Sequence, residues 1–324
     1  MSELSDAATP GQGPNTVTTN EGIPDDERTF APSAEFISRS AITDRSLYEQ
    51  AEPDLQGYRA EQAERIDWTP PWTQVVDDSR APFYQWFVGG RLNVSVNCLD
   101  RHLLTRGDQV AYFWDGEPGD TESITFRDLH ARVCRMANAL RELGVRKGDP
   151  VAIYMGMVPE LPVAMLACTR IGAPRTVVFA GFSRAVIADR INDLGCTTVI
   201  TQDECWRHGR TVPLREAVDE ALVTCPSVTN VIVTRRTATP INWVDGRDHW
   251  YHEIVANQSA ECDPEPMDAE DPLFVLYTSG TTSKPKAILH EGLLEPPTRT
   301  APGPSSSGTA RPFSTPRPPQ STHS

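Results

Sequence analysis

Tyr277-Thr278-Ser279-Gly280-Thr281-Thr282-Ser283-Lys284-Pro285-Lys286 is a run of hydroxyls with a glycine and two lysines. It follows the apolar run Leu273-Phe274-Val275-Leu276. A buried strand that opens into such a loop can gather backbone N–H groups and hydroxyls around an anion, with lysine supplying charge. The spacing is not that of a Walker A loop. On local chemistry alone, a phosphate cradle and an ordinary turn both stay open. Lys286 stands just before the apolar pair Ala287-Ile288. It is therefore expected where a strand restarts, with its side chain free to reach back over the loop. Arg207-His208-Gly209-Arg210 is a second cluster, which by residue type alone reads as a solvated surface loop. His249 and His252 are three residues apart but lack a third ligand at a useful spacing, so no metal site is expected. Ser279 lies outside any Gly-x-Ser-x-Gly elbow, which argues against a hydrolase nucleophile.

The elements that must position these residues show as periodicity. Val110 to Trp114 reads as a strand. Thr125 and Asp128 form a pair like a capping box ahead of Phe126, Leu129, Val133, Met136, Leu140 and Leu143, an amphipathic helix that Gly144 can end. Val151 to Met155 reads as a buried strand, and Pro159 to Ile171 as a helix closed by Gly172. Thr176 to Phe179 reads as a strand, followed by a helix capped by Ser183 and ended by Gly195. Thr197 to Thr201 and Val228 to Val233 read as strands, with a helix over Pro213 to Leu222 between them. Trp250 to Asn257 reads as a helix, and Leu273 to Tyr277 as the strand feeding the opening loop. Strands alternating with helices predict an α/β fold with a largely parallel, doubly wound sheet. Such sheets bind ligands at the carboxyl ends of their strands, where residues 278–286 lie.

The flanks differ. Residues 1–32 read as a disordered leader, and 33–109 as an irregular and weakly helical segment that includes the Trp- and Pro-rich stretch Trp68 to Trp86. The α/β region is 110–290. Residues 291–324 are rich in Pro, Ser, Thr and Gly and read as a disordered tail. The net charge of −14 argues against nucleic acid as a partner. No apolar run is long enough to span a bilayer, and no secretory signal is evident. Seven scattered cysteines without a C-x-x-C pair fit a reducing, cytoplasmic setting. Cys134 and Cys168, among apolar neighbours, are expected in the core.

The run from Tyr277 to Ala287 resembles the phosphate-binding signature of the adenylate-forming enzymes: acyl-CoA synthetases, peptide-synthetase adenylation domains and luciferases. Ser283 and Ala287 stand where that signature has glycine. Were either position to need positive φ, a side chain there would cost about 1–2 kcal/mol. Upstream, Trp86 to Asn93, Asn97 to His102, Val151 to Met155 and Ala164 to Cys168 are similar to acetyl-CoA synthetase and its propionyl relatives. Phe179-Ala180-Gly181-Phe182-Ser183 looks like that group's Phe-Gly-Gly-Phe-Ser. The resemblance runs from about residue 33 to His290. It implies that Thr278, Ser279, Gly280, Thr281, Thr282 and Lys286 bind ATP phosphates. It also implies that Gly181, Arg207, Gly209 and Arg210 receive coenzyme A, since the 207–210 stretch is similar to an Arg-Gly-Gly-Arg/Lys segment of the group. Arginine suits nucleotide phosphates by its multi-donor fork.

The activity implied by this resemblance is an AMP-forming ligation. Acetate and Mg²⁺-ATP give acetyl-AMP and diphosphate, and coenzyme A then takes the acetyl group. The family's acyl pocket, its adenine and ribose contacts, and the catalytic lysine of its mobile domain lie beyond the phosphate loop. None is recognisable here, so a truncated, inactive N-terminal half is expected, with 110–290 a partial AMP-binding domain. The alternative is a non-catalytic module that binds coenzyme A or nucleotide. Loss of the packing half predicts exposed apolar surface and chaperone dependence. An unrelated P-loop kinase is disfavoured by the missing Walker pattern.

Overall fold

The structure, a computed structural model, describes residues 31–40, 44–278 and 285–292. The chain divides into two compact units at Leu55/Gln56. The first carries the short helices Ala34–Arg39 and Ser46–Ala51. Ser33 caps the former by accepting the Phe36 N–H at 3.2 Å.

The helix Leu55–Ala63 begins at this boundary, and all of it but Leu55 falls in the second unit. The stretch expected to be irregular contains two antiparallel strands, Gln74–Asp77 and Gln85–Val88. They shelter a small cluster of Trp68, Trp72 and Phe87 whose ring centroids lie 5.0–5.5 Å apart. Aromatic packing orders a segment whose hydrophobic pattern has no clear period.

The α/β region begins with an antiparallel hairpin, β1 (Val110–Asp115) and β2 (Thr121–Thr125). Thr125 then caps α1 (Phe126–Glu142). Its hydroxyl accepts the Asp128 N–H at 3.1 Å and donates to the Asp128 carboxylate at 2.7 Å. Such a cap adds about 1 kcal/mol. Next come β3 (Val151–Met155), α2 (Glu160–Arg170), β4 (Arg175–Phe179), α3 (Arg184–Leu194) and β5 (Thr198–Gln202). A second hairpin follows, β6 (Glu204–Arg207) and β7 (Arg210–Pro213). Then come α4 (Leu214–Leu222), β8 (Asn230–Thr234), β9 (Asp248–Trp250), α5 (Tyr251–Ala256), β10 (Pro272–Thr278) and β11 (Lys286–Glu291). Strands β2 and β9 and the β6–β7 hairpin are additions to the sequence-based elements.

Seven strands form one sheet in the order β9-β8-β5-β3-β4-β10-β11. Every pairing is parallel except β10 with β11. Strand β3 is buried at all five positions, as expected of a parallel strand covered on both faces. The period-2 alternation divides it. Val151, Ile153 and Met155 pack with Val133 and Leu140 of α1 and with Ala164 and Cys168 of α2. Ala152 and Tyr154 pack with Ile187 and Ile191 of α3 and with Leu214 and Val218 of α4. Register preserves the division, since Ile153 pairs with Ile200 and Ile200 with Ile232, all on the first face. Each such side chain contributes about 1.5–3 kcal/mol relative to exposure.

The chain moves from β3 to β4 in one direction across the sheet. It then crosses back to β5 on the far side of β3. Helices α2 and α3 therefore cover opposite faces, and the reversal leaves a crevice beyond the carboxyl ends of β3 and β4.

Candidate functional site

Strand β4 runs out into the turn Phe179-Ala180-Gly181-Phe182-Ser183, which three side chains pin. Gly181 has φ +98°. Its N–H donates to the Tyr154 hydroxyl at 3.1 Å, and that hydroxyl donates to the Phe182 carbonyl at 3.1 Å. Tyr154 is a core residue of β3, and burial pushes its phenol pKa up. A buried tyrosine hydroxyl needs partners, and here they are the backbone of the turn. Arg207 donates through Nη1 to the Ala180 carbonyl at 2.9 Å, with its guanidinium 5.2 Å from the Phe179 ring centroid. A Cβ on Gly181 would lie 2.4 Å from that Nη1. The backbone conformation thus favours glycine, and a side chain there would displace the Arg207 guanidinium. Arg190 of α3 is buried and sits 4.9 Å from the ring centroids of both Phe182 and Tyr277. Burial lowers its pKa. Ser183 occupies the N-cap position of α3, but its side chain makes no capping bond.

Arg207 and Arg210 are not in an open loop. They are the facing last and first residues of β6 and β7. His208 and Gly209 between them have φ +52° and +71°, the two positive values of a type I′ hairpin turn. The hairpin base is rigid because the buried Asp203 carboxylate accepts the N–H groups of Glu204, Arg236 and Ala238, each at 2.8 Å. Gln202 links the base to β3, accepting the Gly156 N–H at 2.9 Å. A Cβ on Gly156 would stand 2.7 Å from that of Cys205, so the hairpin lies close against the end of β3.

The opposite wall is the loop joining β1 to β2. Trp114 donates its indole N–H to the Met157 carbonyl at 2.8 Å, and Arg236 forks onto Asp120 at 2.5 and 2.8 Å. Glu117 accepts the Gly209 N–H. Between the walls lies a cleft of about 310 Å³ lined by Trp114, Met155, Phe179, Cys205, Arg207 and Arg236, among others.

Thr278 and Lys286, the other predicted group, face each other as the last rung of β10 and the first of β11. Strand β10 is the parallel neighbour of β4, so Thr278 lies at the same edge of the sheet as the turn at 179–183. Both Thr278 and Lys286 are exposed. Ser279, Gly280, Thr281, Thr282 and Ser283 lie outside the described residues. Ala287 is paired with Tyr277 in regular antiparallel register. Positive φ among the described non-glycine residues occurs at Phe87, His208 and Ala238, so the methyl of Ala287 carries no backbone penalty. The Tyr277 hydroxyl donates to Asp193 at 2.7 Å, and burial together with that carboxylate pushes the phenol pKa up.

Among the described residues no group of three His, Cys, Asp or Glu side chains could hold a metal ion. No described helix is long and apolar enough to cross a membrane. Sequence reasoning missed Tyr154, Gly156, Arg190 and Glu117. A tyrosine inside an otherwise aliphatic strand was the one local signal among them.

The fold is that of a doubly wound α/β protein, with cationic and hydroxyl groups at the carboxyl ends of its strands. Residues 99–292 match the family of AMP-binding enzymes, and residues 44–98 match the acetyl-coenzyme A synthetase N-terminus. The chain belongs to the AMP-binding enzyme family. It is 52% identical over 265 residues to acetyl-coenzyme A synthetase 2 of Pseudomonas putida, covering 80% of this chain and 41% of that protein. It is likewise 52% identical over 266 residues to the acetyl-coenzyme A synthetase of Streptomyces avermitilis, covering 82% and 41%. The chain thus spans about two fifths of the length of these curated relatives.

Proposed function

We propose that this chain supplies the coenzyme A-docking and ATP phosphate-binding part of an AMP-forming acetate–CoA ligase. The observation that carries the proposal is the seat of Arg207. Its guanidinium is fixed over Phe179 and Ala180 at the end of β4 and shares a tight hairpin with Arg210. Two arginines on a rigid turn suit the phosphates of coenzyme A. Gly181 and Gly209 let the backbone of both turns come close to a ligand. Thr278, Ser279, Gly280, Thr281, Thr282 and Lys286 would hold the phosphates of ATP, stabilising charge as diphosphate leaves. Mg²⁺ would arrive with the nucleotide, and its role is to share that charge.

In the reaction, acetate attacks the α-phosphorus of ATP and expels diphosphate. The coenzyme A thiol then takes the acetyl group and releases AMP. The matched relatives are more than twice as long as the matched segment. We therefore propose that these 324 residues alone do not complete the cycle. A coupled assay for AMP release from acetate, ATP and coenzyme A is expected to stay at background, and turnover above it would refute this part. Calorimetric titration with coenzyme A tests the docking part. Saturable binding that is lost in Arg207→Ala and Arg210→Ala supports it, and binding indifferent to both removes it.

A further inference from the structure

The turn between the two arginines already holds an anion that belongs to the protein. Gly209 stands at the apex of the β6–β7 hairpin, flanked across the turn by Arg207 and Arg210. Its N–H donates to the carboxylate of Glu117, which reaches it from the tip of the β1–β2 loop. That loop is a compact unit. The Gly116 N–H donates to the Asp120 carbonyl at 2.7 Å, and the Gly119 N–H to the Gly116 carbonyl at 2.8 Å. Its two ends are tied down by the Arg236 fork on Asp120 and by the Trp114 bond to Met157. The tip, with Pro118 beside Glu117, is fastened to the opposite wall through the Glu117 carboxylate. The contact joins the tips of two hairpins across the mouth of the cleft.

We propose that Glu117 is a latch that stands in for a ligand phosphate. Carboxylate and phosphate are both acceptors for the same backbone N–H, and their like charges repel. A phosphate seated between Arg207 and Arg210 takes the Gly209 N–H, expels Glu117 and frees the loop tip. Phosphate docking at the hairpin thereby opens the cleft that leads to the end of β4. The ligand class is a phosphomonoester or diphosphate. The identification of the natural ligand as coenzyme A rests on the function proposed above, whereas the latch itself rests on the contact.

The test uses the full chain, its Glu117→Gln and Glu117→Ala variants, and two probes, inorganic pyrophosphate and coenzyme A. Glutamine keeps an acceptor oxygen and removes the charge. Alanine removes both. Both variants are expected to bind pyrophosphate about two- to fivefold more tightly than the parent, the range of one exposed charge interaction. The gain should shrink in high salt. In the parent, pyrophosphate is expected to speed hydrogen exchange across residues 116–119. Equal or weaker binding by both variants overturns the latch. Coenzyme A binding that needs Arg207 but ignores position 117 overturns the latch and leaves the docking reading standing. Tighter pyrophosphate binding with no coenzyme A binding keeps the latch and removes the docking reading. Failure of all three proteins to bind either probe overturns the latch.

Discussion

Gly181→Ala probes the coupling between the β4 turn and Arg207. The substitution acts in two ways that the structure separates. Gly181 has φ +98°, and an L side chain in the left-handed region costs about 1–2 kcal/mol. In addition, the new Cβ would lie 2.4 Å from Arg207 Nη1. The flexible arginine must leave, giving up its bond to Ala180 and its place over Phe179. That loss adds about 0.5–1.5 kcal/mol. The sum is about 1.5–3.5 kcal/mol, or a fall in Tm of about 3–7 °C for a unit of this size. Gly144→Ala is the matched control. It has φ +92°, and nothing lies within 4 Å of its Cβ, so it should fall by only about 2–4 °C. Calorimetric scans of the two variants isolate the arginine's share. A coenzyme A titration should show affinity lost in Gly181→Ala, by about tenfold for about 1.4 kcal/mol, and retained in Gly144→Ala. If the two variants melt together and bind coenzyme A alike, Arg207 is not fixed by this turn and the reasoning fails.

Two further outcomes follow from buried charges. Arg215 is almost fully buried and bonds Asp248 at 2.5 Å and Asp219 at 2.9 Å. Arg215→Met leaves the Asp248 carboxylate with only Arg247 and the Val244 N–H and should cost about 3 kcal/mol, the lower end for a broken buried pair, read as a shifted urea midpoint. His130 lies 3.4 Å from the Asp100 carboxylate and 3.5 Å from the Cys134 thiol. The bond with Asp100, then that with Cys134, pushes its pKa up to about 9. Burial acts to raise the Asp100 pKa, but hydrogen bonds from His130 and Arg170 outweigh it and hold that carboxyl well below its usual range. A raised folded-state pKa gives stability that is complete below about pH 6.5 and lost as pH rises through about 9. Tm should fall across that window, and His130→Ala should flatten the fall. An unchanged profile in His130→Ala would exclude the pair as its source.

The parts of this fold legible in the sequence were those set by local chemistry. Val151 to Met155 is a strand of the same bounds because an unbroken apolar run after a Lys-Gly-Asp-Pro turn has few other solutions. Gly144, Gly172 and Gly195 mark helix ends because the chain there needs φ of +92°, +70° and +66°. The β6–β7 hairpin was not legible. Its strands are only four residues each, and its turn begins with His208 rather than the usual asparagine or glycine. Strand β2 is largely polar, and β9 has only three residues, too short to show a period. In the site, Arg207 and Gly181 could be named from sequence, but their contact could not. The Tyr154 hydroxyl, the stacked Arg190 and the Glu117 bond to Gly209 are long-range consequences of the sheet order. No spacing along the chain encodes them.

Hydrogen exchange of the full chain with and without coenzyme A is the most direct test that the end of β4 and the β6–β7 hairpin form one docking surface. Coenzyme A is expected to slow exchange at residues 179–183 and 205–210 together, and Arg207→Ala is expected to abolish the effect at both. Protection confined to other segments, or protection that survives Arg207→Ala, would contradict it.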